Sequence, residues 1–285
     1  VQAPAHRRAV RPRIVARRRL VVNFGHEGDG RMPVKMQLAW RAAQFAAMFA
    51  ALLPAAAALP LETLRVPPGF HVELLTDAVP NARAMALGRH DGARGVVYVG
   101  SMRAGKVYAV ELDHGRAGAV RTIASGLALP AGVAYRDGNL YVSAVSKILR
   151  FDAIDDRLAD PPAARVVTDR LPGETHHGAK FIGFGPDGRL YVAVGAPCNI
   201  CKPDMRHGVL QRMNADGSGL ETIASGIRNS VGFDWSPLDR SLWFTDNGRD
   251  LLGDDLPSDE LDRIEKVGAD FGYPYCHQGD TPDPE

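Results

Sequence analysis

Several metal and redox frameworks are missing from this sequence. Only three cysteines occur in 285 residues. Cys198 and Cys201 make one C-x-x-C, no second pair completes a four-cysteine zinc site, and Lys202 stands where a c-type haem attachment needs histidine. A local disulfide, a redox pair and half of a metal site stay open; a structural disulfide is the expected outcome, with Cys276 left odd. No long stretch beyond Leu61 carries a helical hydrophobic period, which excludes a helix bundle. Acidic residues lack the EF-hand spacing. At 45% hydrophobic and 24% charged residues, nothing suggests disorder, and one substantial core is expected.

Basic charge is also scarce outside the first residues. Residues 1–31 hold eight Arg against Glu27 and Asp29. From Met32, Lys35 and Arg41 precede an apolar run, Ala42 to Leu53, and Ala55, Ala56 and Ala57 offer a small-residue cleavage site. The run is short for a membrane span and fits export better than anchoring. The expected organisation is a misassigned upstream extension over 1–31, a signal peptide over 32–58 and a folded domain over 59–285. The mature protein then carries 24 basic and 31 acidic residues and sits in the periplasm or outside the cell. That balance argues against nucleic acid as a partner, and no stable membrane span remains after cleavage.

What is present is repetition. GVVYVGSMRAGKVYAVEL, GNLYVSAVSKILRFDAI, GRLYVAVGAPCNICKPD and RSLWFTDNGRDLLGDDL each set an aromatic in a short strand after a turn. These aromatics are Tyr98, Tyr141, Tyr191 and Trp243, spaced by 43, 50 and 52 residues. That is the length of a four-stranded module with its loops, so the chain reads as an all-β protein, a β-propeller with about four blades. A second string recurs ahead of three of those strands: SGLALPAGVAY, LPGETHHGAKFIGF and SGIRNSVGFDW. In a propeller such strand entries converge on one central channel. Their polar residues, His176 and His177 in the second string and Arg228 and Asn229 in the third, are candidates for one site.

The segment from His176 to Cys201 is the sharpest of these features. Pro186, Asp187 and Gly188 predict a tight turn between strands at Phe181 to Phe184 and Leu190 to Val194. A histidine at such a strand mouth is a candidate general base, although a hydrogen-bonded loop histidine is the plainer reading of any single one. After Trp243, the segment TDNGRDLLGDDLPSDELDRIEKVGADFGYPY is dense in carboxylates. Composition there supports a solvated acidic loop as well as calcium.

Taken in order, HHGAKFIGFGPDGRLYVAVGAPCNIC, SGIRNSVGFDW, LWFTDNGRD and SDELDRIEKVGADFGYPYC resemble the soluble sugar dehydrogenases that depend on pyrroloquinoline quinone (PQQ), most of all the sorbosone dehydrogenase branch. The likeness runs from about Leu61 to the last residue. It implies a six-bladed quinoprotein propeller, of which this chain would hold about four blades and would stop early, so that 59–285 would be an incomplete β-propeller domain. Alone, such a chain is expected to bind the quinone weakly or not at all.

The resemblance also assigns roles. His177, eight residues before Gly185, corresponds to the family's catalytic base; Arg228 corresponds to the arginine facing the quinone oxygen that becomes anionic, and Asn229 to the adjacent cofactor contact. Calcium holding the quinone would use the main-chain carbonyls of Gly248 and Arg249. A second, structural calcium would use Glu260 and the carbonyl of Phe271. The loop between Arg249 and Asp259 is longer than in glucose-oxidising relatives, so Asp250, Asp254 and Asp255 are further ligand candidates. The expected activity is oxidation of an aldose or a sorbosone-like sugar aldehyde. A calcium-dependent lactonase or esterase of the gluconolactonase type and a non-catalytic binding propeller are the alternatives.

Overall fold

A computed structural model of the chain describes residues 60–284. The expectations for residues 1–31 and 32–58 lie outside the described residues. The chain divides into two units, residues 1–70 and 71–285. In the first, the described residues include a 3-10 turn at Leu61–Thr63.

The second unit is a run of antiparallel sheets. The first is a meander of β1 (Met85–His90), β2 (Arg94–Gly100), β3 (Val107–Asp113) and β4 (Arg116–Ala124). The second repeats it with β5 (Val133–Arg136), β6 (Asn139–Ala144), β7 (Lys147–Phe151) and β8 (Arg165–Thr168). In the third, β9 (Ile182–Phe184), β10 (Leu190–Val194), β11 (Val209–Met213) and β12 (Glu221–Ser225) follow the same order. The fourth comprises β13 (Phe233–Trp235), β14 (Leu242–Asp246) and β15 (Glu260–Ile264). The next strand, β16 (Ala269–Asp270), leaves the fourth sheet and pairs in parallel with β12. A hairpin of β17 (Cys276–His277) and β18 (Thr281–Pro282) completes the order.

The first strands of successive sheets adjoin, β1 beside β5 and β5 beside β9, as the inner strands of propeller blades do. Three hydrophobic clusters fill the spaces between blades, one between each successive pair. Strand β10 shows why its sequence is apolar throughout. Leu190, Val192 and Val194 enter the cluster shared with the second blade, while Tyr191 and Ala193 enter the one shared with the fourth. Both faces of the strand are buried, so the run LYVAV has no solvent side to encode.

The repeated aromatics have a single packing rule. Tyr98 stacks on Tyr135 at 5.9 Å, Tyr141 meets the edge of Phe184 at 4.9 Å, and Tyr191 meets Trp235 at 4.9 Å. Each reaches from the second strand of one blade to the end of the first strand of the next. An aromatic–aromatic pair of this kind adds about 0.5–1.5 kcal/mol beyond the area it buries, which favours keeping one per blade.

A second rule fixes register at the inner rim. The carbonyls of Ala84, Gly132, Phe181 and Gly232 accept hydrogen bonds from the amides of Gly100, Ser143, Ala193 and Thr245, at 3.0, 2.9, 3.1 and 3.0 Å. Each donor lies two residues beyond the repeated aromatic. These four positions are therefore equivalent, and the residues just before them enter at the same level of the propeller. The predicted turn also forms: Gly188 sits at φ +78° and donates to Gly185 O at 2.9 Å, and Arg189 N donates to the Asp187 carboxylate at 3.1 Å.

Candidate functional site at the blade entries

A cavity of about 720 Å³ opens where the blade entries meet. Leu129, Ala131 and Gly132 line it from the string before β5, His177 and Phe181 from the string before β9, and Asn229 and Val231 from the string before β13. The convergence expected from the repeats is therefore present. The first blade also contributes Arg83 and Arg103, and no carboxylate lies in the lining.

The loop carrying His177 is held from several sides. Lys180, almost fully buried, donates from Nζ to the carbonyls of Pro172 at 3.2 Å and Gly178 at 3.3 Å, closing the loop across its base. Burial of its ammonium lowers its pKa to about 8. Glu174 is tied to His207 Nε2 at 3.0 Å, while His207 Nδ1 meets Asp204 at 2.8 Å.

Within this frame His177 takes a left-handed backbone conformation, φ +46°. Its Nδ1 lies 2.8 Å from the carbonyl oxygen of Ala196. A carbonyl only accepts, so Nδ1 carries the proton in the neutral ring and Nε2 keeps its lone pair. Gly195 makes the approach possible: a Cβ there would stand 2.6 Å from His177 Cβ and 3.0 Å from Asn229 Oδ1. Burial, then the charges of Arg228 and His176, lower the His177 pKa to about 4. The ring is therefore neutral and able to accept a proton at neutral pH. His176 is exposed, with its ring 4.2 Å from that of His177.

Arg228 lies beneath the rim. Its main-chain oxygen accepts from Ala196 N at 2.8 Å, which links it to the carbonyl that holds His177. The side chain is buried and is outside the cavity lining. Its Nε donates to Asn199 O at 2.9 Å, Nη2 to Asn199 Oδ1 at 2.7 Å and to Asp250 at 3.2 Å, and Nη1 to Asn247 O at 3.0 Å. Asp246, at the end of β14, fastens the segment from below by accepting from the amides of Arg228 at 2.8 Å and Asn229 at 2.6 Å. Burial raises the Asp246 pKa to about 7, against the pull of those two donors.

The expected metal-binding residues Gly248, Arg249, Glu260 and Phe271 are outside the cavity lining. Gly248 N donates to Asp259 at 3.0 Å. The Arg249 side chain is buried against Asp283 at 2.8 Å, and Asp283 in turn meets His277 at 2.7 Å. Glu260 stands opposite Asp246 across β14 and β15, and the ring of Phe271 packs edge-on to Phe244. Burial raises the pKa values of Glu260 and Asp262, and Asp262 Oδ2 is buried with no hydrogen-bond partner. Among the described residues, no three His, Cys, Asp or Glu side chains gather as a metal-holding group.

Cys198 and Cys201 are joined in a disulfide, and Cys276 is free. Sequence reasoning passed over Arg83, Arg103 and Asn199, and counted Asp246 among the carboxylates that suit calcium rather than as an anchor of the Arg228 segment. Arg83 had one available signal, its place just before Ala84 in a fourth strand-entry string. That string, NARAMAL, lacks the glycine and the aromatic that marked the other three. Among the described residues, no helix is long and apolar enough to cross a membrane.

Residues 137–284 match the family model described as Glucose / Sorbosone dehydrogenase. An uncharacterized protein of Borreliella burgdorferi is 31% identical over 224 residues, covering 75% of this chain and 57% of that protein. Among solved structures, the PQQ domain of a pyranose dehydrogenase from Coprinopsis cinerea, in its holo form, aligns with a TM-score of 0.61 at 14% identity, covering 75% of this chain and 58% of that one. A glucose dehydrogenase aligns with a TM-score of 0.54 at 18% identity, covering 75% and 70%. The chain thus spans less than two thirds of the length of the first two of these relatives. At these identities the solved structures establish the shared propeller fold.

Proposed function

Because the chain belongs to the glucose/sorbosone dehydrogenase family, we propose that it oxidises an aldose or sugar aldehyde with bound pyrroloquinoline quinone as the oxidant. The observation that carries this reading is the state of His177. Its Nδ1 is committed to Ala196 O and its ring lines the cavity, which leaves Nε2 as the proton acceptor.

The cavity suits such a cofactor in size and charge. A volume of about 720 Å³ is in the range of small-molecule sites. Arg83 and Arg103, with no carboxylate in the lining, favour a planar ligand bearing several carboxylates. When bound, the quinone supplies the acceptor for the hydride that leaves the substrate carbon. His177 Nε2 takes the hydroxyl proton of the sugar or aldehyde hydrate. Arg228 puts positive potential on the flank of the ring, and Asn229 offers an amide to the ligand from the same rim. A base with a pKa of about 4 holds a transferred proton poorly at neutral pH, so a neighbouring anion would strengthen it.

Calcium belongs to the proposal at the main-chain carbonyls of Gly248 and Arg249, with a second ion at Glu260 and the Phe271 carbonyl. Asp262, with its unpartnered oxygen beside Glu260, is chemically suited to a cation. We further propose a periplasmic or extracellular location, on the strength of the signal-like segment at 32–58; cell fractionation tests it.

The reading is tested by adding PQQ and Ca²⁺ to a version of the protein completed to six blades and following dye reduction with a panel of aldoses, in parallel with lactone and ester hydrolysis. Sugar-dependent dye reduction is expected. Hydrolysis without dye reduction would transfer the site to the lactonase class.

A further inference from the structure

Among the described residues, the buried guanidinium of Arg228 makes no ion-pair contact with a buried carboxylate. Among the described residues its carboxylate partner is Asp250, at 3.2 Å, whose side chain is 76% exposed. Its other contacts are neutral oxygens, and two of the three belong to Asn199. A buried cation held by neutral acceptors costs stability, so its retention beside a cavity calls for a use.

Asn199 is built to hold it. Its Oδ1 accepts from both Arg228 Nη2 and Asp250 N, at 2.7 and 2.8 Å, and its Nδ2 donates to Asp250 O at 3.0 Å. Every polar atom of the side-chain amide is engaged. Its main chain is fixed too, because Asn199 lies within the loop closed by the Cys198–Cys201 disulfide. Buried Tyr273 braces that loop: its hydroxyl accepts from Cys201 N at 3.2 Å and donates to Asn199 O at 3.4 Å.

We propose that Asn199, presented by the disulfide-closed loop, is a positioning residue that holds the Arg228 charge beside the cavity, and that opening the disulfide releases it. This rests on the reading of Arg228 as the charge facing the reacting oxygen. A dithiol reductant would open the bridge by transferring two electrons and two protons, leaving two thiols and becoming a disulfide itself. The C-x-x-C thereby acquires a role that its sequence left open.

The test is an NMR titration of the His177 ring in the cofactor-free chain. The charged groups coupled to that ring are His176, Arg228 and Asp250. Arg228→Met removes a positive neighbour and is expected to raise the midpoint by about one unit. Asn199→Ala should raise it by less, since a freed guanidinium moves toward water, and should add nothing in the Arg228→Met background. Dithiol treatment of the unmodified chain should reproduce the Asn199→Ala shift and reoxidation should reverse it, which guards against a variant that fails to fold. No change, a fall, or a shift that persists in the Arg228→Met background would overturn the proposal. Quinone titration of the same samples tests the underlying reading separately: quinone affinity that is measurable and identical in Arg228→Met would overturn that reading alone.

Discussion

Gly195→Ala tests the placement of the base with a single methyl group. A Cβ at this position would stand 2.6 Å from His177 Cβ, whereas carbon atoms in contact prefer about 3.5–4.0 Å. Something must therefore retreat by about 1 Å, and Gly195 itself directly continues the fully buried strand β10. The easier movement is that of the His177 loop, and Asn229 Oδ1, at 3.0 Å from the same methyl, is pressed as well. A displacement of about 1 Å at a reacting group costs on the order of 100-fold in rate. Overpacking adds about 1–3 kcal/mol of destabilisation, which in a domain of this size lowers Tm by about 2–4 °C per kcal/mol. Dye-reduction kinetics and thermal unfolding would be compared with Gly118→Ala, where the new methyl meets its neighbours at an ordinary 3.4 Å. If Gly195→Ala kept full activity while Gly118→Ala did too, the inferred contact between Gly195 and the base would be refuted.

Three further outcomes follow from the same geometry. Asp246→Ala leaves two backbone amides without their acceptor, at about 1–3 kcal/mol each, partly offset by removal of a desolvated carboxylate; a net loss of about 2–3 kcal/mol should appear in denaturant unfolding, and an unchanged midpoint would contradict the anchoring role. The His177 pKa of about 4 should rise when the protein, completed to six blades, is saturated with the quinone, because an anion nearby favours the imidazolium; its basic form is complete at pH 7 and is lost as pH falls through about 4, so a midpoint that drops or stays put at saturation would argue against a shared cavity. Calcium at 100 times its dissociation constant should stabilise the chain by about 2.7 kcal/mol, reversed by chelation and diminished in Glu260→Gln; equal melting with and without calcium would count against the ion at Glu260.

The architecture was legible because it rests on repeated physical needs. Tyr98, Tyr141 and Tyr191 each bridge to the next blade, so their spacing reports the blade length directly. The tight turn and strand that follow placed His176 and His177 at a strand mouth, and the resemblance to the family chose His177 between them. Other parts depend on contacts that local pattern does not encode. The two-residue strand β16 turns aside to pair with β12. Asn199 meets Arg228 from 29 residues away, an arrangement that needs the disulfide loop, Tyr273 and Asp250 in place together. The buried position of the Arg228 head, bonded to loop carbonyls rather than lining the cavity, likewise arises from that assembly.

The central claim is that His177 accepts the substrate proton in a quinone-dependent oxidation. It is tested most directly by rapid anaerobic mixing of aldose with the quinone-loaded protein, completed to six blades, and its His177→Ala variant, following the quinone absorbance. The account predicts sugar-dependent reduction of the quinone by the parent protein, with the variant retaining the quinone but slowed by at least about 100-fold. Reduction at equal rates in both would contradict it.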